Sequence, residues 1–203
     1  MRKTGFLLRV SCSLLVALAL AGNVAAQKKD EDKAPPPTGI DAATGKILTE
    51  AIEALNKENY AGAKAAVAKL KLDALSPYER SRTEQILATI ESSRDNYSGA
   101  QKHLQAAIDA GGLNEKEVSD TRYQIAQMFL AQEKWKEGAA SLEQWFQTAQ
   151  NPNSAAYYLL AVAYYQQNDY KRAIVPAQKA VDLAEKPQES WVQLVLALYL
   201  QQD

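Results

Sequence analysis

Very few side chains in this sequence could perform catalysis or bind a metal ion. Histidine occurs once, as His103, and cysteine occurs once, as Cys12. A metal site needs several such ligands, and a thiol-based reaction needs a nucleophile close to a base, so one residue of each type supplies neither. The sequence also contains no glycine-rich phosphate-binding loop and no nucleophile motif. We therefore expect no cofactor and no enzymatic activity.

Acidic side chains, the remaining candidates for acid–base chemistry, form two short clusters. Residues 30–32 are Asp-Glu-Asp in a charged N-terminal stretch, whereas Glu115, Glu117 and Asp120 surround the start of a predicted helix. Carboxylates at a helix start interact favourably with the helix dipole, which explains the second cluster without catalysis. His103 falls on a predicted outward-facing position, where we expect a solvated surface histidine rather than a catalytic base.

The composition is that of a modest, helix-rich domain with balanced charge. The chain has 203 residues, of which 47% are hydrophobic, and it has a formal net charge of −1 with only 9 glycines and 7 prolines. Nucleic-acid binding relies on a clear excess of basic residues, which this sequence lacks. We expect no nucleic-acid partner.

The N-terminal segment, residues 1–26, has the pattern of a secretory signal peptide. Arg2 and Lys3 precede an apolar run over residues 10–21, and residues 24–26 are the small-residue sequence Val-Ala-Ala that suits cleavage before Gln27. We predict a signal peptide over residues 1–26, a periplasmic or secreted protein, and no membrane span after cleavage. The alternative is an uncleaved anchor, although a span needs about 20 consecutive apolar residues. Cleavage would leave a net charge of −4 and no cysteine.

Residues 27–41 contain almost nothing that a folded domain would bury. Their sequence, QKKDEDKAPPPTGID, is charged at first and then proline-rich. This composition predicts a disordered leader. A proline-rich ligand for another protein is the alternative, but a single run of three prolines provides little material for one.

The rest of the chain shows helical periodicity that polar turns interrupt at regular intervals. In residues 154–187, apolar and small residues recur at helical spacing on both sides of the turn at residues 166–169. Similar turns occur upstream, each with an aromatic residue followed three positions later by a small one. The four pairs are Tyr60 and Ala63, Tyr97 and Ala100, Trp135 and Gly138, and Tyr170 and Ala173. The aromatic residues are 37, 38 and 35 positions apart, which predicts four helical hairpins.

These hairpins resemble the tetratricopeptide repeat (TPR), a stackable unit of about 34 residues. Its first helix carries an aromatic residue, a leucine, a small residue and a tyrosine, which Tyr157, Leu160, Ala161 and Tyr164 match here. The resemblance implies an all-α fold, a right-handed α-solenoid of TPR hairpins over residues 42–203. The predicted full repeats span residues of about 44–80, 81–118, 119–153 and 154–187, and a half repeat spans 188–203.

The predicted last helix is apolar around nearly its whole circumference, although TPR stacks usually end in a helix with a polar outer face. Either the sequence is the front part of a longer repeat protein, or this uncapped helix pairs with a partner or with a second copy of the chain. The polar turn-like residues 201–203 echo those at 166–169 and favour the longer protein.

The resemblance also implies a binding surface, because the first helices of TPR repeats line a concave groove. The residues that would face this groove are Tyr123, Gln124, Gln127, Tyr158, Val162, Tyr165, Val192, Leu196 and Tyr199. This aromatic and apolar surface with a few glutamines suits an extended or proline-rich peptide, or an inserted helix. The alternative is that some of these side chains belong to the packing between repeats.

The sequence thus favours a non-enzymatic periplasmic adaptor or scaffold that binds a protein or peptide of unknown identity. Residues 157–199 also resemble exported TPR proteins found with TonB-type energy-transduction systems, which implies a role in an envelope complex. Two alternatives stay open. One is a structural protein that self-associates through its last helix, and the other is a regulatory subunit of a cell-wall or secretion enzyme.

Overall fold

Nine α-helices and one short 3-10 helix, Leu72–Ala74, make up most of residues 39–201, the part of the chain that the computed structural model describes. The helices are α1 (Ala42–Asn56), α2 (Tyr60–Val67), α3 (Pro77–Ser92), α4 (Tyr97–Asp109), α5 (Glu115–Ala131), α6 (Trp135–Phe146), α7 (Ser154–Gln166), α8 (Tyr170–Asp182) and α9 (Glu189–Tyr199). No strand occurs within residues 39–201, so the all-α prediction is confirmed. The predicted signal peptide, most of the predicted leader and residues 202–203 lie outside the described residues.

Consecutive helices pack against each other along the chain and form four hairpins followed by one further helix. Repeat one is α1–α2, repeat two is α3–α4, repeat three is α5–α6 and repeat four is α7–α8. The helices α3 and α5 begin shortly before the repeat boundaries predicted at 81 and 119. Capping boxes fix both starts, one between Ser76 and Glu79 and the other between Asn114 and Glu117.

One backbone device builds the turn of every hairpin. In each turn a residue adopts a left-handed conformation with φ between 55° and 59°, and these residues are Glu58, Asp95, Glu133 and Asn168. The amide of the next residue donates to the carbonyl oxygen five positions earlier, as from Asn59 to Ala54 at 2.8 Å. This is the Schellman arrangement that ends a helix, and it satisfies carbonyl groups of the first helix. The turns that repeat in the sequence therefore repeat in conformation.

The small residues three positions after each turn aromatic let the paired helices approach closely. Ala63, Ala100 and Ala173 are fully buried. At the fourth such position, a Cβ atom built on Gly138 would lie 2.2 Å from the Cδ2 atom of Leu130 on α5. No larger residue fits there unless the leucine moves, so the sequence-based interpretation of these residues as packing residues is confirmed.

The hydrophobic core is more aromatic toward the C-terminus. Around α1, α2 and α3, a cluster of Leu48, Val67, Ile86 and smaller residues forms the core, and no aromatic side chain belongs to it. The cluster that extends from α5 to α9 instead includes Tyr164, and several further aromatic side chains pack against its edge. The surface of the C-terminal half is correspondingly richer in partly exposed rings.

Candidate protein-binding surface

Helices α7 and α9 are the first helices of successive repeats, and the same three repeat positions carry aromatic or apolar side chains on both. On α7 these are Tyr158, Val162 and Tyr165, and on α9 they are Val192, Leu196 and Tyr199. We refer to these six side chains as the α7–α9 face.

The two halves of the α7–α9 face differ in exposure. The three side chains on α7 are half-buried, because they pack against the core that α8 and α9 help to form. On α9, Val192, Leu196 and Tyr199 are 48%, 61% and 49% exposed. No described helix covers this side of α9. The three repeat positions that are shielded on α7 are therefore exposed on α9, where a partner could contact them.

Two rings of this face also hold neighbouring helices together. Tyr158 stacks on Trp191 of α9, with ring centroids 5.2 Å apart and an angle of 21° between the planes. Tyr165 packs against Tyr170 of α8 at 5.5 Å. Both predicted groove residues thus belong partly to the packing between helices, as the alternative interpretation of the sequence has it.

The tyrosine predicted to line the groove in repeat three packs inside its own hairpin. The ring of Tyr123 lies 4.7 Å from that of Trp145 on α6. Burial raises the pKa of Tyr123 to about 12, although a hydrogen bond with Gln127 opposes the shift. Gln124 and Gln127 are half-buried. Tyr123 and Tyr158 both border the C-terminal core cluster, so the structure places them on one core.

A ladder of aromatic rings in repeats three and four was not predicted from the sequence. It continues from Tyr123 and Trp145 to Phe146 at 5.1 Å and on to Tyr157 of α7 at 4.7 Å. The ammonium group of Lys179 lies 5.2 Å from the centre of the Tyr157 ring. One signal could have revealed the ladder. Trp145 lies seven positions after the small residue of its hairpin, where repeats two and four have alanines, Ala107 and Ala180.

A polar network fixes α7 against its neighbours. The Tyr164 hydroxyl donates to the Glu143 carboxylate of α6, and Arg172 of α8 donates to both groups. The guanidinium carbon of Arg172 lies 4.3 Å above the Tyr164 ring. Burial raises the pKa of Tyr164, and the hydrogen bond to Glu143 raises it further. This network supports the helix that carries Tyr158, Val162 and Tyr165.

The expectation of a solvated histidine is wrong. His103 is half-buried, and its Nδ1 atom lies 2.7 Å from the Oε2 atom of Glu84 on α3. Glu84 is only 4% exposed. Buried carboxylates require partners, and α3 directs this one toward α4. The pair joins the two helices of repeat two.

The acidic cluster at the start of α5 has the predicted structural role. Glu115 and Glu117 lie in the first turn, and Glu117 completes the capping box with Asn114. Within residues 39–201, no group of three histidine, cysteine, aspartate or glutamate side chains is arranged to hold a metal ion. None of the helices described there has the length and apolar character needed to cross a membrane.

Comparisons with known proteins reveal the fold but no close relative. Neither a protein-family model nor a curated protein matches the sequence. A solved structure of MamA from Desulfovibrio magneticus RS-1 has a TM-score of 0.63 and 17% identity, covering 81% of this chain and 88% of that chain. A MamA double mutant reaches a TM-score of 0.67 at 16% identity, with the same coverage.

A third structure, a putative kinesin light chain with TPR-like repeats from Podosopora anserina, has a TM-score of 0.59 at 15% identity. The match covers 81% of this chain and 89% of that chain. Identities this low establish only the arrangement of the helices. Together with the four hairpins, they show that the chain has the fold of a TPR solenoid.

Proposed function

We propose that the protein is a non-enzymatic scaffold that binds a protein or peptide partner through the α7–α9 face. The observation that carries this proposal is the exposed stripe of Val192, Leu196 and Tyr199, which continues the register of Tyr158, Val162 and Tyr165. Tyrosine is enriched among the residues that supply most of the binding energy in protein interfaces, and burial of neighbouring valine and leucine side chains adds a hydrophobic contribution.

The chemistry of this face favours a protein over a charged small molecule. Its six side chains are apolar or aromatic and carry no charge at neutral pH. The stripe on α9 has the i, i+4, i+7 spacing of one helical face, which matches the spacing of anchors in helix-in-groove recognition. A partner that buries a row of apolar side chains fits this surface best.

We further propose that the scaffold acts in the periplasm, in an envelope complex such as a TonB-type system. The support is the signal-peptide pattern of residues 1–26 and the resemblance of residues 157–199 to exported TPR proteins. Mass spectrometry of the protein from a periplasmic extract tests whether the chain is exported and cleaved. A mature N-terminus at Gln27 is expected, and an intact chain in the cytoplasmic fraction would contradict it.

The test of the surface is a quantitative affinity capture from an envelope extract. The double variant Leu196→Glu with Tyr199→Glu places two charges on the α7–α9 face, at positions exposed enough for the fold to tolerate them. A matched control is Val175→Glu, because Val175 is equally exposed, at 62%, but lies on α8. We expect partners recovered by wild type and control to be lost by the double variant. Equal recovery by all three proteins would refute the assignment.

Self-association is a second candidate, and the extra exposure of Leu200 just after the same helix, 67%, favours it. Val192, Leu196, Tyr199 and Leu200 together expose on the order of 400 Å², about half of what each partner buries in a standard stable interface. A dimer through α9 would therefore be weak and concentration-dependent. Sedimentation velocity over a wide range of dilutions tests it, and a monomer at every concentration rules it out.

A further inference from the structure

Three equivalent positions on the first helix of each repeat change their chemistry along the chain. In α7 and α9 they form the α7–α9 face, and the same register gives their counterparts in the earlier first helices. We call each set a stacking triad. The triads are Leu48, Ile52 and Leu55 in α1; Gln85, Thr89 and Ser92 in α3; Tyr123, Gln127 and Leu130 in α5; Tyr158, Val162 and Tyr165 in α7; and Val192, Leu196 and Tyr199 in α9.

Where the triad is entirely apolar or aromatic, the next first helix packs directly on the helix that carries it. Helix α3 contacts α1, and Ile86 and Ile90 of α3 share a hydrophobic cluster with the α1 triad. Helix α9 likewise contacts α7, and its Trp191 stacks on Tyr158 of the α7 triad. In both places, a following helix covers the triad with large apolar side chains.

The two triads that contain polar residues are treated differently. Helix α5 packs mainly on α4 and α6, and an ion pair between Arg82 and Glu117 reaches across from α3. Helix α7 packs mainly on α6 and α8, and Tyr123 of the α5 triad lies against Trp145 of its own hairpin. Direct packing between successive first helices therefore follows the apolar character of the triad.

The α9 triad has the apolar character of the covered triads but lacks the cover. Its three side chains are about half exposed, whereas Leu48 at the equivalent position of α1 is buried. Leu200 extends the same stripe by one position, and the flanking Ser190 and Gln193 are polar. The apolar surface is therefore a stripe one helix face wide, and within residues 39–201 no helix fills the place that α3 and α9 fill on the other two apolar triads.

The first helix of a second copy is a poor candidate for this place. Helix α9 packs on the repeat before it with three buried side chains, Trp191, Leu194 and Leu198. The equivalent positions of α1 hold Ile47, Glu50 and Ala54. Glu50 is exposed and pairs with Lys69 at 3.0 Å, so head-to-tail stacking of two copies would bury this carboxylate against an apolar stripe. We therefore take the covering helix to come from a different protein.

We propose that the partner covers the α9 triad with an amphipathic helix, which packs there as a further first helix of the solenoid would. This inference rests on the proposed function, because it assigns the kind of partner to the same face. The partner helix supplies large apolar side chains at positions i, i+3 and i+7, the spacing of Trp191, Leu194 and Leu198, and it is polar elsewhere. Because the α9 triad carries no charge, the binding depends little on salt.

The probe for this test is a fluorescein-labelled synthetic peptide with the sequence of residues 186–201, and the receptor is the purified full chain. The apolar positions of the peptide that face away from its docking stripe are made polar for solubility, by Val192→Glu, Leu196→Lys, Tyr199→Gln and Leu200→Lys. Fluorescence anisotropy measures the binding. We expect saturable binding that changes less than about twofold when the salt concentration is raised about tenfold.

Two altered peptides test what the face recognises. Gln193→Pro in the peptide keeps the apolar stripe but prevents a continuous helix, and it should weaken binding at least about tenfold. Trp191→Ala with Leu198→Ala in the peptide keeps the helix but removes most of the stripe, and it should weaken binding by a similar factor. Neither control requires a change in the protein. If the proline peptide binds as tightly as the parent peptide, the face accepts an extended segment and the proposal is overturned.

Variants of the protein locate the binding. Leu196→Glu with Tyr199→Glu should weaken the parent peptide at least about tenfold, whereas Val175→Glu on α8 should bind like wild type. Circular dichroism verifies that both variants are folded. Undiminished binding by the double variant would mean that the peptide docks elsewhere, for example by displacing α9 from α7, and would overturn the proposal.

Two further results would also overturn it. One is no binding of the parent peptide up to about 1 mM. The other is a wild-type dimer in sedimentation velocity that the double variant dissociates, since a second copy would then occupy the face. The capture from an envelope extract separates this inference from the proposed function. Partners lost by the double variant, together with no peptide binding, would overturn the helix alone, whereas partners retained by the double variant would overturn the proposed function itself.

Discussion

Repeats two and three share one register, in which Tyr97 corresponds to Trp135, yet their hairpins end differently. In repeat two, the Ser81 hydroxyl is buried, donates to the Ala107 carbonyl at 2.7 Å and accepts from the Gly112 amide at 3.3 Å. The chain after α4 therefore folds over the beginning of α3 and closes that end. In repeat three, the equivalents of these residues are Ser119, Trp145 and Gln150. This end stays open and forms a cleft of about 830 Å³, which is lined by the first turns of α5, by Trp145 and by residues 148–151.

The difference shows how single residues decide whether the end of a hairpin is closed or open. A Cβ atom on Gly112 would lie 2.3 Å from the carbonyl oxygen of Pro77, so only glycine permits the closed end. The tryptophan in place of an alanine prevents the same closure in repeat three. Other elements of the two hairpins are shared, among them the capping boxes and the buried Thr83 and Thr121.

The largest expected effect comes from Trp145→Ala, which gives repeat three the residue that repeat two has. Because Tyr123, Phe146 and Ser119 all lose a partner, we expect a loss of about 4 kcal/mol in the free energy of unfolding, measured by urea denaturation. Trp145→Phe keeps the ring contacts and should cost about 1 kcal/mol. A loss below about 1 kcal/mol for the alanine variant would mean that the end collapses into the closed form.

A substitution in repeat two should open its closed end. Gly112→Ala should destabilise the protein by about 3 kcal/mol, because the new methyl group collides with backbone atoms of Pro77 and Tyr78. Gly39→Ala is the control, since no atom lies within 4 Å of a Cβ atom at that position. Equal urea midpoints for the two variants would show that the backbones of repeat two are not in close contact.

A buried carboxylate makes the stability of repeat two depend on pH. Glu79 accepts hydrogen bonds from Ser76 and, at 2.8 Å, from the amide of Asp41, the residue that caps α1. The bond from the Ser76 hydroxyl, in particular, holds the pKa of Glu79 below its usual value of 4.5. The stabilisation is complete above pH 4.5 and is lost as the pH falls through the lower folded pKa.

The variant Glu79→Gln tests this dependence. It should lose about 2 kcal/mol at pH 7, because the cap and the amide of Asp41 lose a charged acceptor. The difference from wild type should shrink as the pH is lowered below 4.5, since wild-type Glu79 then becomes neutral. A difference that stays constant from pH 7 to pH 3 would contradict the account. In repeat three, Glu117→Gln removes a cap acceptor and also an ion pair with Arg82 of α3. Because Glu117 is more exposed than Glu79, this variant should cost less at pH 7.

The smallest effect compares two equivalent serines directly. Ser81→Ala leaves the buried Gly112 amide without an acceptor and should cost about 1.5 kcal/mol. Ser119→Ala removes a bond to Trp145 at a half-buried position that water can reach, and should cost about 0.5 kcal/mol. The free energy of unfolding of both variants is measured by thermal or urea denaturation, and a larger loss for Ser81→Ala supports a closed end in repeat two and an open end in repeat three. Equal losses would mean that the two ends are equally closed.

The fold was predictable from the sequence because turn residues and small packing residues recur at nearly constant spacing. The left-handed residue, the helix cap and the aromatic stand side by side in each turn, as in Asn168, Asp169 and Tyr170. Such local features depend on neighbouring residues alone. The buried positions of α9, Trp191, Leu194 and Leu198, follow from the same periodicity.

The polar contacts and the cleft were not predictable in this way. The pairing of His103 with Glu84 depends on which faces of α3 and α4 pack together. The residue pattern within one helix does not show this. Trp145 looks like an ordinary core aromatic in the sequence, and its effect arises only because α6 ends at the next position, Phe146. Likewise, the pattern predicted Tyr158 in the groove but could not reveal that its ring stacks on Trp191.

The contrast between a closed repeat two and an open repeat three is tested most directly by native-state hydrogen exchange of two equivalent amides. The Gly112 amide donates to buried Ser81, whereas the Gln150 amide donates to no acceptor within the described residues. We predict that Gly112 is protected by at least about a hundredfold more than Gln150 in NMR-detected exchange. Equal protection of the two amides would contradict the account, because both ends of the paired hairpins would then be closed.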